Sequence, residues 1–409
     1  MGTPSRRRCN PETMELPAGF PGRQQHVYTT LRRIVAVVTG ILCLSAATAL
    51  AAPPQAKRIG PDPAAFAKTV ALGTDYLIQH GQAEDGSFSS FAGCGITALA
   101  TTALLRNGHS ADDPAVAKAL AYLEEYAQES GGIHMPGGRI PTYETCIALV
   151  CFKEANREDR YKKIIEEAEK FLRRGQWDET RGKDKTDVYF GGVGYGGKSR
   201  PDLSNTAFLM EALKSCGACA DDPAVQKAIV FVSRCQNLET EHNTTPFAAK
   251  VNDGGFYYTP VLSRQEVDRQ TSDGGLRSYG SMTYSGFKSM VYAGLAKDDP
   301  RVKAALKWIR ANYDVKSNPG MGDAGLYYYY HTFAKAMDAL GEDLVEDARG
   351  VKHDWRRELA EELARRQQEN GSWVNTNNRW MESDPNLATA FALLSLSYCR
   401  PAEKKVEAK

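Results

Sequence analysis

The sequence predicts an all-α protein: an (α/α)6 toroid of six helical hairpins with glycine–aromatic turns and two long loop insertions. Three observations lead there. "DDPAV" occurs at Asp112 and again at Asp221, with "DDPRV" at Asp298, so one unit recurs along the chain. Amphipathic helices alternate with helices that are apolar nearly all round, which separates a surface layer from a buried one. A glycine followed by an aromatic or aliphatic residue punctuates each alternation.

The outer layer begins with "AAFAKTVALGTDYLIQH" from Ala64 and continues with "VAKALAYLEEYAQ" from Val116 and "YKKIIEEAEKFLRR" from Tyr161. "VQKAIVFVSRCQ" from Val225, "VKAALKWIRANY" from Val302 and "WRRELAEELARRQ" from Trp355 complete it. Aspartate before proline is a helix start, because the carboxylate caps free amides and proline has no N–H to lose at the first helical position. Turns follow at Gly86, Gly131, Gly192, Gly254, Gly325 and Gly371. The inner layer then reads "ITALATTALL", "TCIALVCF", "NTAFLMEAL", "GFKSMVYAGL", "HTFAKAMDAL" and "LATAFALLSL". An open solenoid would leave these apolar helices wet on one side, and closure into a ring covers them. The insertions "DETRGKDKTDVYFGGVGYGGKSR" and "NTTPFAAKVNDGGFYYTPVLSRQEVDRQTSDGGLRSYG" both lie between an outer helix's end and the next inner helix's start. That end of the ring is expected to carry the site, with strands confined to short pieces of the insertions.

Residues 53–400 form this single domain, preceded by a leader over 1–52 and followed by a charged tail over 401–409. Arg32 and Arg33 precede the uncharged run "IVAVVTGILCLSAATALAA", which ends in small residues, the order of a secretory signal. The mature chain is expected to begin near Ala52 and to be exported, periplasmic or extracellular. The long stretch before the apolar run leaves an uncleaved membrane anchor as the alternative. Lys plus Arg (51) and Asp plus Glu (50) nearly cancel, so no global field recruits nucleic acid. Cys94, Cys146, Cys151 and Cys399 sit in apolar helices as small buried hydrophobes, whereas Cys216 and Cys219 ("CGAC") are spaced for a local disulfide. With no second CxxC, no metal site is expected, and no cofactor either.

Gln82-Ala-Glu-Asp-Gly86-Ser-Phe88 and Gln367-Gln-Glu-Asn-Gly371-Ser-Trp373 match a QxxxGxW-type repeat. On these motifs and the six-hairpin pattern, the mature chain resembles the squalene (terpenoid) cyclase and protein prenyltransferase α/α-toroid superfamily. "GSMTYSGFKSM" and "GLYYYYHTFAKAMDALG" look like segments of its bacterial prenyltransferase and squalene oxidase repeat proteins. The resemblance implies a central cavity for a hydrophobic isoprenoid. Triterpene cyclases of this kind carry DxDDTA at the mouth of an inner helix, its central aspartate protonating an alkene. Here the stretch reads Asp202-Leu203-Ser204-Asn205-Thr206-Ala207. Ser204 stands at the proton-donating position, and a serine hydroxyl is too weak an acid for that step. The zinc set of the prenyltransferases is not matched, the Asp-Asp pairs are helix starts rather than DDxxD, and "GCG" at Gly93 lacks a thioester's glutamine.

Asp202, Glu144 and His331 are the catalytic candidates. Glu144 and Asp202 open adjacent inner helices, and two carboxylates facing each other across a narrow mouth would keep one protonated near neutrality. Tyr143, Ser204, Asn205, Tyr279, Tyr284, Tyr329, Tyr330 and Trp380 are the ligand-binding candidates. Aromatic faces stabilise a cation, stack on sugars or line an apolar pocket. Of the run Tyr327 to Tyr330, helical geometry lets no more than two face the lumen. Three functions follow: an isoprenoid enzyme of terpenoid-cyclase type, a non-catalytic binding or scaffold toroid, or a glycan-processing toroid using Glu144 and Asp202. Peripheral membrane contact through an apolar rim fits the first.

Overall fold

A computed structural model describes residues 59–262 and 270–401; the expected leader and all of the tail beyond Pro401 lie outside them. The described residues follow the predicted alternation. Hairpins pair α1 (Pro63–Tyr76) with α2 (Gly95–Arg106), α3 (Pro114–Glu124) with α4 (Pro141–Ala155), and α5 (Lys162–Gly175) with α6 (Leu203–Ser215). Then α7 (Pro223–Arg234) leads through the single-turn α8 (Ala248–Val251) to α9 (Gly280–Tyr292). The last hairpins pair α10 (Pro300–Ala311) with α11 (Leu326–Leu340) and α12 (Trp355–Arg366) with α13 (Pro385–Leu396).

Even-numbered helices up to α6, then α9, α11 and α13, each pack on the next, and α13 packs back on α2, so the inner ring closes. These six helices are buried along most of their length. The outer six keep polar faces in solvent; α5 buries Ile165, Ala168 and Leu172 and exposes most of its charged residues. Asp62, Asp222 and Asp299 cap α1, α7 and α10 through the amides two residues on, with proline between, as expected. Asp113 also precedes a helical proline, but it turns its carboxylate to the Ser110 N–H and to His109.

Two details differ from expectation. The short antiparallel strands β1 (Val345–Glu346) and β2 (Lys352–His353) lie in the α11–α12 connection rather than in the long insertions, of which the second holds the isolated bridge Gln270–Leu276. The turn glycine of the third hairpin is Gly191, one residue before the expected Gly192. Cys94, Cys146, Cys151 and Cys399 are buried free thiols, and Cys216 is free too, so no bridge joins it to Cys219.

The repeat motif has a direct structural role. After an outer helix ends, a glutamine amide reaches two carbonyls at once: its own turn glycine and a residue in the first two turns of a neighbouring outer helix. Gln82 Nε2 donates to Gly86 O (3.1 Å) and Ala115 O (2.8 Å), and Gln176 to Gly191 O (2.8 Å) and Ala224 O (2.9 Å). Gln236 joins Gly254 O (3.0 Å) to Arg301 O (2.9 Å), and Gln367 joins Gly371 O (2.9 Å) to Thr69 O (3.0 Å), linking the last hairpin to the first. The glycines hold positive φ and lie against the same neighbouring helix. A Cβ on Gly191 (φ 85°) would stand 1.8 Å from Lys227 O, and one on Gly371 (φ 88°) 2.2 Å from Leu72 O. Gln128 keeps its amide within its own turn, bonding Tyr126 O and His134 O.

Gly191→Ala and Gly371→Ala are therefore expected to cost about 3 kcal/mol or more, from left-handed backbone strain plus a backbone clash. Gly175→Ala, where an added Cβ meets nothing within 4 Å, is expected to be neutral or to stabilise by about 0.5–1 kcal/mol. Chemical denaturation of the three variants measures this, and equal effects at all three positions would refute the packing role of the turns.

Candidate functional site

The N-termini of the inner helices converge on one end of the ring, where a cavity of about 430 Å³ opens. Its walls come from all six inner helices, with Gly95 and Ile96 contributed by α2, and from both insertions. Tyr143 of α4, Ser204 and Phe208 of α6, Tyr279 and Met282 at the start of α9, Tyr328 of α11 and Phe391 of α13 line it. Tyr195 and Arg200 come from the third-hairpin insertion and Tyr258 from the fourth. Phe208 sits edge-on to Tyr143 (centroids 5.2 Å apart) and tilted against Tyr328 (6.1 Å), forming a continuous aromatic face. A larger outer groove of about 980 Å³ runs along α7 beside the insertions, away from these residues.

Asp202 caps α6. Its Oδ1 accepts the Asn205 N–H and its Oδ2 the Asn205 side-chain amide, both at 2.8 Å. The Tyr258 hydroxyl also bonds it, and Tyr258 in turn bonds Tyr195 at the cavity wall. The insertion is brought here by backbone pairing, Leu203 N–H to Tyr258 O at 2.8 Å, and by Thr259 Oγ1 donating to Pro201 O at 2.8 Å. Burial pushes the Asp202 carboxyl up to about 6, against the lowering effect of the Asn205 and Tyr258 hydrogen bonds and of Arg200. The residue does not line the cavity; Tyr258 stands between. Ser204 does line it, with Oγ 3.0 Å from the Tyr328 hydroxyl.

Glu144 is not placed opposite Asp202. It lies outside the cavity lining, where Oε1 accepts Cys94 N–H (2.9 Å) and Oε2 accepts Met135 N–H (3.1 Å). Gly93 leaves room for it, since a Cβ there would stand 2.0 Å from Oε1. The carboxylate thus ties the start of α2 to the second hairpin's turn. His331 lies deeper, on the lumen face of α11 against Phe391 (centroids 5.4 Å), and burial holds its imidazole neutral.

The tyrosine run faces inward through Tyr328 alone. Tyr329 and Tyr330 are buried between helices, Tyr329 bonding Asp314 O, and Tyr284 packs with Tyr329 and Phe333. The turn of about 100° per residue puts Tyr328 in line with His331 and Lys335, and its neighbours on the flanks. Asn205 is likewise buried behind the wall, holding Asp202. Trp380 is at the rim, in a turn where it (φ 58°) and Met381 (φ 64°) take left-handed backbone, a conformation that costs non-glycine residues about 1–3 kcal/mol.

Sequence reasoning did not place Phe208, Tyr195, Tyr258 or Glu382 here. Glu382 lines the cavity and accepts the Tyr328 N–H (2.8 Å), the Tyr327 N–H (3.2 Å) and the Asn375 amide (2.7 Å), so it caps α11 from another segment; burial raises its carboxyl. Among the described residues, no group of three or more His, Cys, Asp or Glu is placed to hold a metal ion.

Residues 65–264 match the family described as "Squalene-hopene cyclase C-terminal domain". No curated protein matches the chain in sequence. Among solved structures, the type II terpene cyclase MstE from Scytonema superposes with a TM-score of 0.51 at 14% identity, covering 82% of this chain and 98% of that one. A variant of the same enzyme, in complex with its substrate geranylgeranyl dihydroxybenzoate, gives 0.51 at 11% identity over 82% and 97%. A D-mannose isomerase gives 0.53 at 11% identity over 83% and 97%. The closed double ring has the fold of the squalene cyclase/prenyltransferase-like α/α toroids, and the repeat motif and the family match support that likeness.

Proposed function

We propose that this protein holds a hydrophobic isoprenoid in the mouth cavity and does not start its cyclisation by protonation. One observation carries the reading: the aromatic wall is intact, while Ser204 occupies the position where the resembling motif has its acid. A cavity of about 430 Å³ lies within the range of roughly 300–1,000 Å³ that small ligands occupy. The likeness to a cyclase that takes a geranylgeranyl substrate supports an isoprenoid as ligand class. Neither remaining carboxyl replaces the lost acid: Asp202 sits behind Tyr258, and Glu382 is engaged by backbone amides.

Exposed apolar side chains lie at the entrance, Trp380 (46% exposed), Met381 (38%) and Tyr195 (37%), and Phe91 (76%) is the chain neighbour of the lining residue Ala92. Such a rim supports peripheral contact with a lipid surface, from which an isoprenoid would enter. The signal-like leader supports an exported protein. A glycan-processing reading needs two carboxyls facing the substrate roughly 5–9.5 Å apart. Among the described lining residues Glu382 is the single carboxylate, which tells against it.

Titrating the purified protein with geranylgeraniol should quench tryptophan fluorescence saturably, and Trp380→Phe should remove that signal. Tyr328→Ala should weaken binding about tenfold, or ~1.4 kcal/mol. Product analysis after incubation with squalene or geranylgeraniol should return only starting material, and cellohexaose should leave the fluorescence unchanged. Ring-closed products, or saturation by the sugar alone, would end this reading.

The Asp202 carboxyl supplies a second check. Its folded-state value of about 6 lies above the ordinary 3.8, so the folded protein binds the extra proton and stability falls as pH rises from about 4 to about 6. Asp202→Asn lacks that proton. Relative to wild type it should therefore gain on the order of 3 kcal/mol between pH 4 and pH 7 in denaturation experiments. A relative gain at the acid end would show that the carboxyl is held ionised instead.

A further inference from the structure

Below the aromatic cavity, the lumen holds charges that the proposed function does not use. Glu211 of α6 forms ion pairs with Lys288 of α9 (3.1 Å) and Lys335 of α11, and all three are buried or nearly so. Arg106 of α2 pairs with Glu154 of α4 (2.6 Å) and donates to the Tyr398 hydroxyl (2.8 Å). In direct contact, the two carboxylates of Glu211 and Glu154 face the three basic side chains of Lys288, Lys335 and Arg106. Lys214 of α6 and Asp338 of α11 add one charge of each sign around Tyr292, so one positive charge is left over among these described residues. Leaving a buried cation uncompensated is costly, and it must either lose its proton or find an anion.

A separate void of about 20 Å³ adjoins that excess charge. Lys335, Arg106, His331 and Glu211 border it, with apolar walls from Leu99, Cys146, Ile147 and Leu394. It suits one water-sized particle. His331 points to a missing partner: the residue is 2% exposed, and its Nδ1 has no hydrogen-bond partner. Burial, followed by the charge of Lys335, keeps the ring neutral, with one N–H to donate.

We propose that this void is a binding site for one small monovalent anion of the halide class, held by the Lys335 ammonium, a His331 N–H and the Arg106 guanidinium. The anion balances the surplus charge that Glu211 leaves when it is shared between two lysines. Burial pulls the Lys335 ammonium down to about 7, with Lys288 and Arg106 adding to the effect and Glu211 opposing it. A bound anion therefore favours the protonated lysine, and affinity falls as pH rises through that region. Glu211 borders the same void and opposes the anion, so it limits the affinity. The site is independent of the ligand proposed for the mouth cavity, from which Phe208, bordering both, divides it.

Crystals of the full chain grown in sodium bromide test this directly. An anomalous peak between Lys335 and His331 is expected; density there without anomalous signal means a water, and overturns the proposal, as does an empty void. In solution, replacing chloride by the bulkier gluconate at constant ionic strength should lower Tm by about 2–4 °C at pH 6 and by less at pH 8.5. Lys335→Met should abolish the chloride dependence. Glu211→Gln should tighten chloride binding about tenfold or more, because one opposing charge is gone. An unchanged chloride dependence in either variant would assign the effect to the surface and refute the site. If Lys335→Met does not fold, Glu211→Gln and the bromide peak still decide the matter.

Discussion

Four glutamine side chains and the glycines they reach hold neighbouring hairpins in register. Each amide bonds a turn carbonyl and a carbonyl in a neighbouring outer helix, so one side chain satisfies two backbone acceptors and sets the angle between hairpins. The glycine lies against that neighbour too closely for any side chain. With Gln367 reaching back to Thr69, the last hairpin meets the first and the ring has no open edge. Closure then dictates the rest: inner helices are buried on every side, their N-termini gather at one end, and the connections on that end become the walls of a cavity.

That geometry assigns the inner helices two chemical zones. Near the N-termini, rings from α4, α6, α11 and α13 build an aromatic chamber, with the carboxyls beside it turned to capping backbone amides. Glu144, Asp202 and Glu382 each accept hydrogen bonds from the start of a helix, which is where an anionic group is favoured. Toward the C-termini, Arg106, Lys288 and Lys335 occupy the lumen, where converging carbonyl ends favour cations. The same stripe of α11 passes through both zones, with Tyr328 above and His331 and Lys335 below.

The fold was legible because it rests on period and punctuation. Asp-Pro starts, glycine turns and alternating helix character are local signals, and they placed six hairpins correctly. The cavity was legible only in outline. Periodicity gives the angle between neighbouring residues of a helix but not its absolute rotation, so Tyr329 and Tyr330 were expected inward where Tyr328 is. Tyr195 and Tyr258 sit in insertions whose course depends on pairing across hairpins, and no local pattern announces it. Gln176 and Gln236 belong to the repeat, but insertions separate them from their glycines by 15 and 18 residues and break the motif's spacing. The lumen charges did have a signal: single charged residues within otherwise apolar inner helices, Glu211 in "NTAFLMEAL", Lys288 in "GFKSMVYAGL" and Lys335 in "HTFAKAMDAL". A lone charge on a helix that is buried all round must find a partner inside the protein.

The central claim is that an aromatic chamber survives without its acid and keeps an isoprenoid intact. A crystal structure grown with geranylgeraniol tests it most directly. The account predicts an open, uncyclised chain packed against Phe208, Tyr328 and Phe391, with its path entering past Trp380. A ring-closed molecule in that chamber, or a chain bound only in the outer groove along α7, would contradict it.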